Sequence, residues 1–446
     1  RIFGNDDVDT IQFGDASGAA GGTSVGSHGY IYLGAKTRAY GSQDATDATG
    51  DDGEDRFRVY FLQDTASQTG PNATTPAEHT LTLDGQGETD FYEVFTLGSQ
   101  GNARNYVVNV LDTGAEDHGV DELAIYGYDS PDNGLDGFGA QYPTDDIFLL
   151  RAASFLPNEA ADRPGYVALL HGNLGEYQDV VQNNEDSNEV QRVNYDSGLN
   201  GRLTVEGRGG NDAFFSDDTT VIATLDGGEG DDLFQIGQIF GEKRNVPDGN
   251  LLPQDAFPNL VATTRGWLSA GSNAPLVAQG GTGNDEFRVY SNQAELRLEG
   301  DDDNDLFIVR AFALAATTDF DWNGDGSIDR ADLDAGVAIL AAAFAGGDAS
   351  ADSNGDGGIN YLDLYKTPDD ISDDVIVLDA EGVATPQIGL GFSVAQAPDI
   401  RAGGGQDEVR YNINAPVSVE GGAGFDKLVS LGTEFADDIV ITDKGI

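Results

Sequence analysis

The stretch TLDGGEGDDLFQI, residues 224–236, alternates apolar and polar residues, breaks into a Gly/Asp turn, and alternates again after Asp232. Period-two alternation on both sides of a short turn predicts two strands joined by a tight corner, each with one face in a core. The phrase recurs as AQGGTGNDEFRVY (278–290) around Asp285 and VEGGAGFDKLVSL (419–431) around Asp426. Close variants are VEGRGGNDAFF (205–215, Asp212), LEGDDDNDLFIV (298–309, Asp305) and RAGGGQDEVRY (401–411, Asp407). Weaker copies surround Asp55, Asp90, Asp121 and Asp146, and the chain opens on the related GNDDVDTIQFG. These weaker copies read equally well as plain glycine turns.

Spacing extends the local reading to an architecture. The intervals are 20 (232 − 212), 20 (305 − 285) and 19 (426 − 407) residues. One turn per period of this length predicts coils stacked as a parallel β-solenoid, with the turns along one edge. The longer gaps are 53 (285 − 232) and 102 (407 − 305); removing residues 317–370 from the second leaves about 48, so that segment reads as an insertion. The expected fold is mainly β, an elongated parallel β-solenoid or β-roll-like array with a small α-helical insert. The expected division is a degenerate β region over 1–150, a less regular β segment over 151–200, and regular repeats over 201–316 and 373–446, flanking an insert at 317–372.

Further elements are expected at the strands Ile11–Phe13, Gly29–Leu33, Tyr106–Leu111 and Asp146–Leu150, with a strand pair in 151–172. Residues 176–196 read as helix or polar coil, the proline-rich 241–258 as a surface excursion, and 331–345 as the one helix, apolar nearly all round.

The insert carries its own chemistry. Asp321, Asn323, Asp325, Ser327, Asp329 and Asp332 stand at positions 1, 3, 5, 7, 9 and 12 of a twelve-residue loop, with Gly326 at position 6. Asp352, Asn354, Asp356, Gly358, Asn360 and Asp363 repeat the pattern 31 residues on (352 − 321), with Gly357 at the turn. Alternate oxygen-bearing side chains, a backbone carbonyl at position 7 and a terminal acid wrap a hard cation, Ca2+. The pair resembles a dockerin-like EF-hand module, a resemblance that implies calcium and docking on a cohesin-like partner. Two departures count against docking. About 76 residues follow it (446 − 370), whereas dockerins usually close a chain, and its second helix is cut short at Pro368. A purely structural calcium clip is the other reading.

The three complete turns satisfy G-G-x-G-x-D-x-U-x, and in this they resemble the RTX, or haemolysin-type, repeats of large secreted bacterial proteins. The resemblance covers most of the chain in its grammar and is specific only at the complete motifs. It implies several calcium ions, held by turn carbonyls and the Asp carboxylate. The residues concerned are Gly228, Gly230 and Asp232; Gly281, Gly283 and Asp285; Gly422, Gly424 and Asp426; and Asp212, Asp305 and Asp407. It also implies export, and folding where calcium is plentiful.

Composition agrees with a cation-dependent fold. The net charge of −55 arises from 78 acids against 23 bases, which excludes nucleic acid and anionic membrane surfaces as partners. Self-repulsion on this scale opposes compaction unless counter-ions are built in. Cysteine is absent, so disulfides contribute nothing, and no apolar run is long enough to span a bilayer. Methionine is absent too; the chain opens mid-pattern, as expected of a processed product or a segment of a longer polypeptide.

No catalytic constellation is visible. His28, His79, His118 and His171 stand in separate loops, outside any H-x-x-H or H-E-x-x-H setting, and G-x-S-x-G is missing. Lys36 and Arg38 beside Tyr30, Tyr32 and Tyr40 form the best carbohydrate-contact candidate; Trp267 and Trp322 read as packing residues. The expected function is therefore a non-enzymatic, extracellular calcium-binding structural repeat protein of a fibre, surface layer, matrix or adhesin, self-associating or continuing into neighbouring repeats. The alternatives are a carbohydrate-active β-helix enzyme acting on surface polysaccharide, and a docking scaffold for a cohesin-like protein.

Overall fold

The computed structural model describes residues 2–3, 10–13, 36–40, 54–60, 80–96, 98–99, 106–111, 119–128, 145–152, 165–170, 190–196, 198–217, 219–241, 260–263, 266–312, 330–347, 351, 357–359, 376–378, 384–386, 394, 396–412 and 415–432. The chain is mainly β, and two large parallel sheets share one core.

Among the described residues the wide sheet has thirteen strands. In spatial order they are Ile2–Phe3, Lys36–Tyr40, Thr80–Asp84, Tyr106–Leu111, Val190–Tyr195, Gly165–Leu170, Ile147–Ala152, Ala213–Ser216, Leu233–Ile236, Glu286–Val289, Leu306–Val309, Glu408–Asn412 and Lys427–Leu431. The main path of the narrow sheet runs Thr10–Phe13, Arg56–Val59, Phe91–Phe95, Glu122–Tyr126, Leu203–Gly209, Ala223–Glu229, Leu276–Thr282, Leu296–Asp302, Asp399–Arg401 and Ser418–Glu420. Each narrow-sheet strand is followed in sequence by a wide-sheet strand, so each coil contributes one strand to each sheet. This is a two-sheet, β-solenoid-like arrangement.

Alternation explains why these segments are strands with a fixed register. Leu203 and Val205, Ala223 and Leu225, Leu276 and Ala278, and Leu296 and Leu298 point inward from the narrow sheet and stack in columns. Across the core, Phe148, Phe214, Phe234, Phe287 and Phe307 form one continuous face-to-face stack, with centroids 4.7–5.1 Å apart. A one-residue slip would turn every one of these rings to solvent. Burial of each ring is worth about 1.5–3 kcal/mol and each contact with its neighbour about 0.5–1.5 more.

The expected strand pair after Ile147 is present and has an unexpected place. Gly165–Leu170 runs antiparallel between Ile147–Ala152 and Val190–Tyr195, which widens one sheet by two strands that have no counterpart in the other. Residues 190–195, within the ambiguous stretch, are a strand. The helix appears as Arg330–Ala345. It leaves from between Leu306–Val309 and Glu408–Asn412, which are direct neighbours in the wide sheet. The expected strand Gly29–Leu33 and all but the first residue of the 241–258 excursion lie outside the described residues. Beside that excursion, Ile239–Phe240, Gly266–Leu268 and Val261–Thr263 form a small antiparallel sheet in which Trp267 packs on Phe240 and Leu260.

Candidate metal centre

The two edges of the coil differ. At the forward edge the chain passes from the narrow to the wide sheet; at the return edge it passes back. Asp146, Asp212, Asp232, Asp285, Asp305, Asp407 and Asp426 each precede a wide-sheet strand, on the forward edge. Asp55, Asp90 and Asp121 each precede a narrow-sheet strand, on the return edge. The expectation of one turn edge is thus corrected: the aspartate turns change edge between Asp121 and Asp146. At Asp90 and from Asp212 to Asp426 they occupy the edge with the shorter connections; Asp146 instead ends the long connection from Tyr126. Elsewhere the long connections take the other edge, as between Arg56–Val59 and Thr80, or between Leu233–Ile236 and Leu276.

The forward turns from Asp212 to Asp426 share a backbone path, although Arg208 (φ +79°), Asp301 (φ +68°) and Asp303 (φ +75°) hold positive-φ positions that glycine fills in the others. In the turn at residues 227–232, Gly228 has φ +99° and Gly230 φ +131°, the left-handed region that a side chain disfavours. A Cβ at either would overlap a backbone carbonyl of the preceding coil, Arg208 O or Gly210 O. Gly227 serves another purpose, because the place of its missing Cβ is taken by the Asp232 carboxylate. The three glycines thus answer to backbone hand, close stacking of coils, and room for an inward carboxylate.

The aspartates then form a file. The Asp146 N–H donates to Asp212 Oδ1 (2.6 Å), Asp212 N–H to Asp232 (2.7 Å), and Asp232 N–H to Asp285 (2.8 Å). Asp285 N–H donates to Asp305 and Asp305 N–H to Asp407, both at 2.9 Å, and Asp407 N–H to Asp426 at 3.3 Å. Asp212, Asp232, Asp285, Asp305 and Asp407 are at most 2% exposed, and the Oδ2 of each is buried without a hydrogen-bond partner. Asp146 differs: its oxygens accept from the Ser99 and Tyr128 N–H groups (2.7 Å each). A shorter file on the return edge links Asp55 to Asp90, Asp90 to Asp121, and Asp121 to Asn200.

A second file runs outside the first with opposite polarity. Asn211 N–H donates back to Asp145 (2.8 Å), Asp231 N–H to Asn211 (2.8 Å), Asn284 N–H to Asp231 (2.7 Å), and Gln406 N–H to Asn304 (2.8 Å). Asn304 Nδ2 donates to Asn284 Oδ1 (3.1 Å), closing the row. Sequence reading passed over these residues, although Asn, Asp or Gln directly before the buried aspartate in six successive turns was a visible signal.

Electrostatics set the inner file apart. Burial pushes the Asp212 carboxyl up to about 9, Asp232 and Asp305 to about 8, Asp146 to about 7 and Asp285 to about 6. Asp407 is raised as well, again chiefly by burial. Neighbouring carboxylates add to the effect; unit charges one strand spacing apart, ~4.8 Å, repel by roughly 3–4 kcal/mol at an effective dielectric of about 20.

Among the described residues no three His, Asp or Glu side chains converge as a metal cluster. The acids stand one per coil, so any further ligands must come from the backbone. Suitable carbonyls are close: the Asp212 Oδ2 and the Gly227 carbonyl both border the place of the missing Cβ of Gly207, the Asp232 Oδ2 and the Gly280 carbonyl that of Gly227, and the Asp285 Oδ2 and the Gly300 carbonyl that of Gly280. These are hard oxygen donors, the class that suits Ca2+.

Of the insert's expected ligands, Asp321, Asn323, Asp325, Ser327, Asp329, Asp352, Asn354, Asp356, Asn360 and Asp363 lie outside the described residues, as do the four histidines and Trp322. Asp332 falls on the helix, and Gly357, with φ +86°, precedes Gly358 in a short described turn. Lys36 and Arg38 share a wide-sheet strand with Tyr40; Tyr30 and Tyr32 are outside the described residues. No helix of the described residues is long and apolar enough to cross a membrane. Comparison with protein-family models, curated proteins and solved structures gives no match.

Proposed function

We propose that the protein is an extracellular, calcium-dependent structural repeat protein whose forward-edge file binds Ca2+ between successive coils. The observation that carries this reading is the run of five buried aspartates, Asp212 to Asp407, whose Oδ2 atoms face no donor. A buried charge without a partner is costly, and a protein of net charge −55 has few cations of its own to place there. Calcium would take the Oδ2 atoms together with the adjacent turn carbonyls. The dockerin-like loops of the insert would bind further ions. Stacked parallel sheets, whose end strands have one neighbour each among the described residues, suit end-to-end continuation, into a fibre, surface layer, matrix or adhesin.

The test is circular dichroism and light scattering of the whole chain in EDTA and then in millimolar calcium. An expanded chain that becomes compact and β-rich with calcium, and remains expanded in equal ionic strength of NaCl, supports the reading. Equal compactness and equal thermal midpoints in both buffers would sink it.

A further inference from the structure

One position on the forward edge departs from the rule of its neighbours. Five residues before the aspartate of the file stand Gly207, Gly227, Gly280, Gly300 and Gly421, and at each the place of the missing Cβ is taken by that coil's own carboxylate Oδ2, Asp426 alone being exposed. Before Asp407 the residue is Ala402, wholly buried, and its methyl fills that place.

Around Ala402 the strand, the file and the carboxylate can be set beside those of the other coils. The narrow-sheet strands Leu203–Gly209, Ala223–Glu229, Leu276–Thr282 and Leu296–Asp302 each run seven residues into the corner. The strand Asp399–Arg401 instead stops before Ala402 and resumes only as Gly404–Gly405; the next coil breaks in the same place with Gly421 there, so the break belongs to this end of the sheet and not to Ala402 alone. The bond that the Asp407 carboxylate accepts, from the Asp305 N–H, keeps the 2.9 Å of its neighbours; the 3.3 Å bond beyond it is accepted by Asp426 of the next coil. The Asp407 Oδ2 stays buried without a hydrogen-bond partner.

From this we propose that Ala402 attenuates cation binding at the Asp407 step of the file. Its methyl keeps the Asp407 Oδ2 from the position that the equivalent oxygens hold beside glycine. The carboxylate and the next coil's carbonyl then cannot converge as they do at Asp212, Asp232 and Asp285. The inference rests on the calcium reading above and identifies the residue that weakens one step of it.

The experiment is Ala402→Gly in the whole chain, with calcium stoichiometry and affinity measured by calorimetry and thermal midpoints taken in EDTA and in calcium. The expected result is one more bound ion per chain, or a weakest site tightened by roughly tenfold or more (about 1.4 kcal/mol), with no gain in midpoint in EDTA. If both proteins bind several ions with the same stoichiometry and affinities, the attenuating role is overturned while calcium binding stands. If the midpoint rises equally in EDTA and in calcium, the methyl only disturbs packing, and the proposal fails. If neither protein binds calcium, the function proposed above fails and this inference falls with it. Should the glycine variant not fold, Ala402→Ser is the second variant: it keeps a Cβ, so unaltered calcium binding is expected, and a gained ion would overturn the role of the methyl.

Discussion

A buried aspartate in this chain does two jobs with two oxygens, and they separate on mutation. Asp232 uses Oδ1 to accept the Asp212 N–H, while Oδ2 carries the cost of a buried charge. Asp232→Asn keeps an acceptor and removes the charge. In EDTA at pH 8 the variant should be more stable than the parent by roughly 1–3 kcal/mol, whereas its gain from calcium should shrink. Chemical denaturation with and without calcium checks both; a variant destabilised equally in the two buffers would mean that the carboxylate is purely a backbone acceptor. Proton linkage follows with a definite sign. Burial raises Asp212 to about 9 and Asp232 and Asp305 to about 8, above the ~3.9 of an unfolded chain. The metal-free folded state therefore binds more protons than the unfolded state. Its stability is fully present below about pH 4 for these groups and is lost as pH rises toward about 9. Melting in EDTA from pH 5 to pH 9 should show a falling midpoint, and saturating calcium should flatten that slope.

At the scale of the strand and turn, the phenylalanine stack and the outer amide row hold the register. Phe234 lies between Phe214 and Phe287 with centroids 4.9 and 4.8 Å away, so Phe234→Ala removes two ring contacts and leaves a cavity. A loss of about 3–5 kcal/mol is expected with or without calcium, which distinguishes packing from ion binding in one denaturation series. Much of this scale was legible in the sequence. The interval from Asp212 to Asp232 gave the coil, the apolar residue two places after each aspartate gave the ring stack, and the glycines gave the corner. The change of edge was not legible, because Asp121 and Asp212 present nearly the same local phrase. What differs is the sheet that follows: Glu122–Tyr126 after Asp121 joins the narrow sheet and Ala213–Ser216 after Asp212 the wide one, an assignment no local period announces. The inward aim of the carboxylates was also hidden, since a turn aspartate facing solvent and one facing the neighbouring coil share the same letters. The Gly227 cradle shows the difference only once the coils are stacked.

Over the whole molecule, the placement of insertions decides which parts must melt together. Every long departure in the C-terminal half leaves by the return edge: the hairpin strands before Leu203, the small sheet around Trp267, and the segment that carries the helix Arg330–Ala345. The forward edge carries none, so the inner file crosses gaps of 66, 53 and 102 residues as though the chain were uninterrupted. Neighbouring coils share a hydrogen bond and a row of charges there, and coupling in such an array passes from neighbour to neighbour. Removing calcium should therefore not open one coil at a time. The amides of Asp212, Asp232, Asp285 and Asp305, each a donor to the next carboxylate, should lose hydrogen-exchange protection together in EDTA at pH 8. Lowering the pH to 5 in EDTA should restore that protection, because a proton removes the same buried charge that calcium would neutralise. Protection that is lost piecemeal, stopping at the Asp232–Asp285 or Asp305–Asp407 gap, would show that the insertions divide the file into independent blocks.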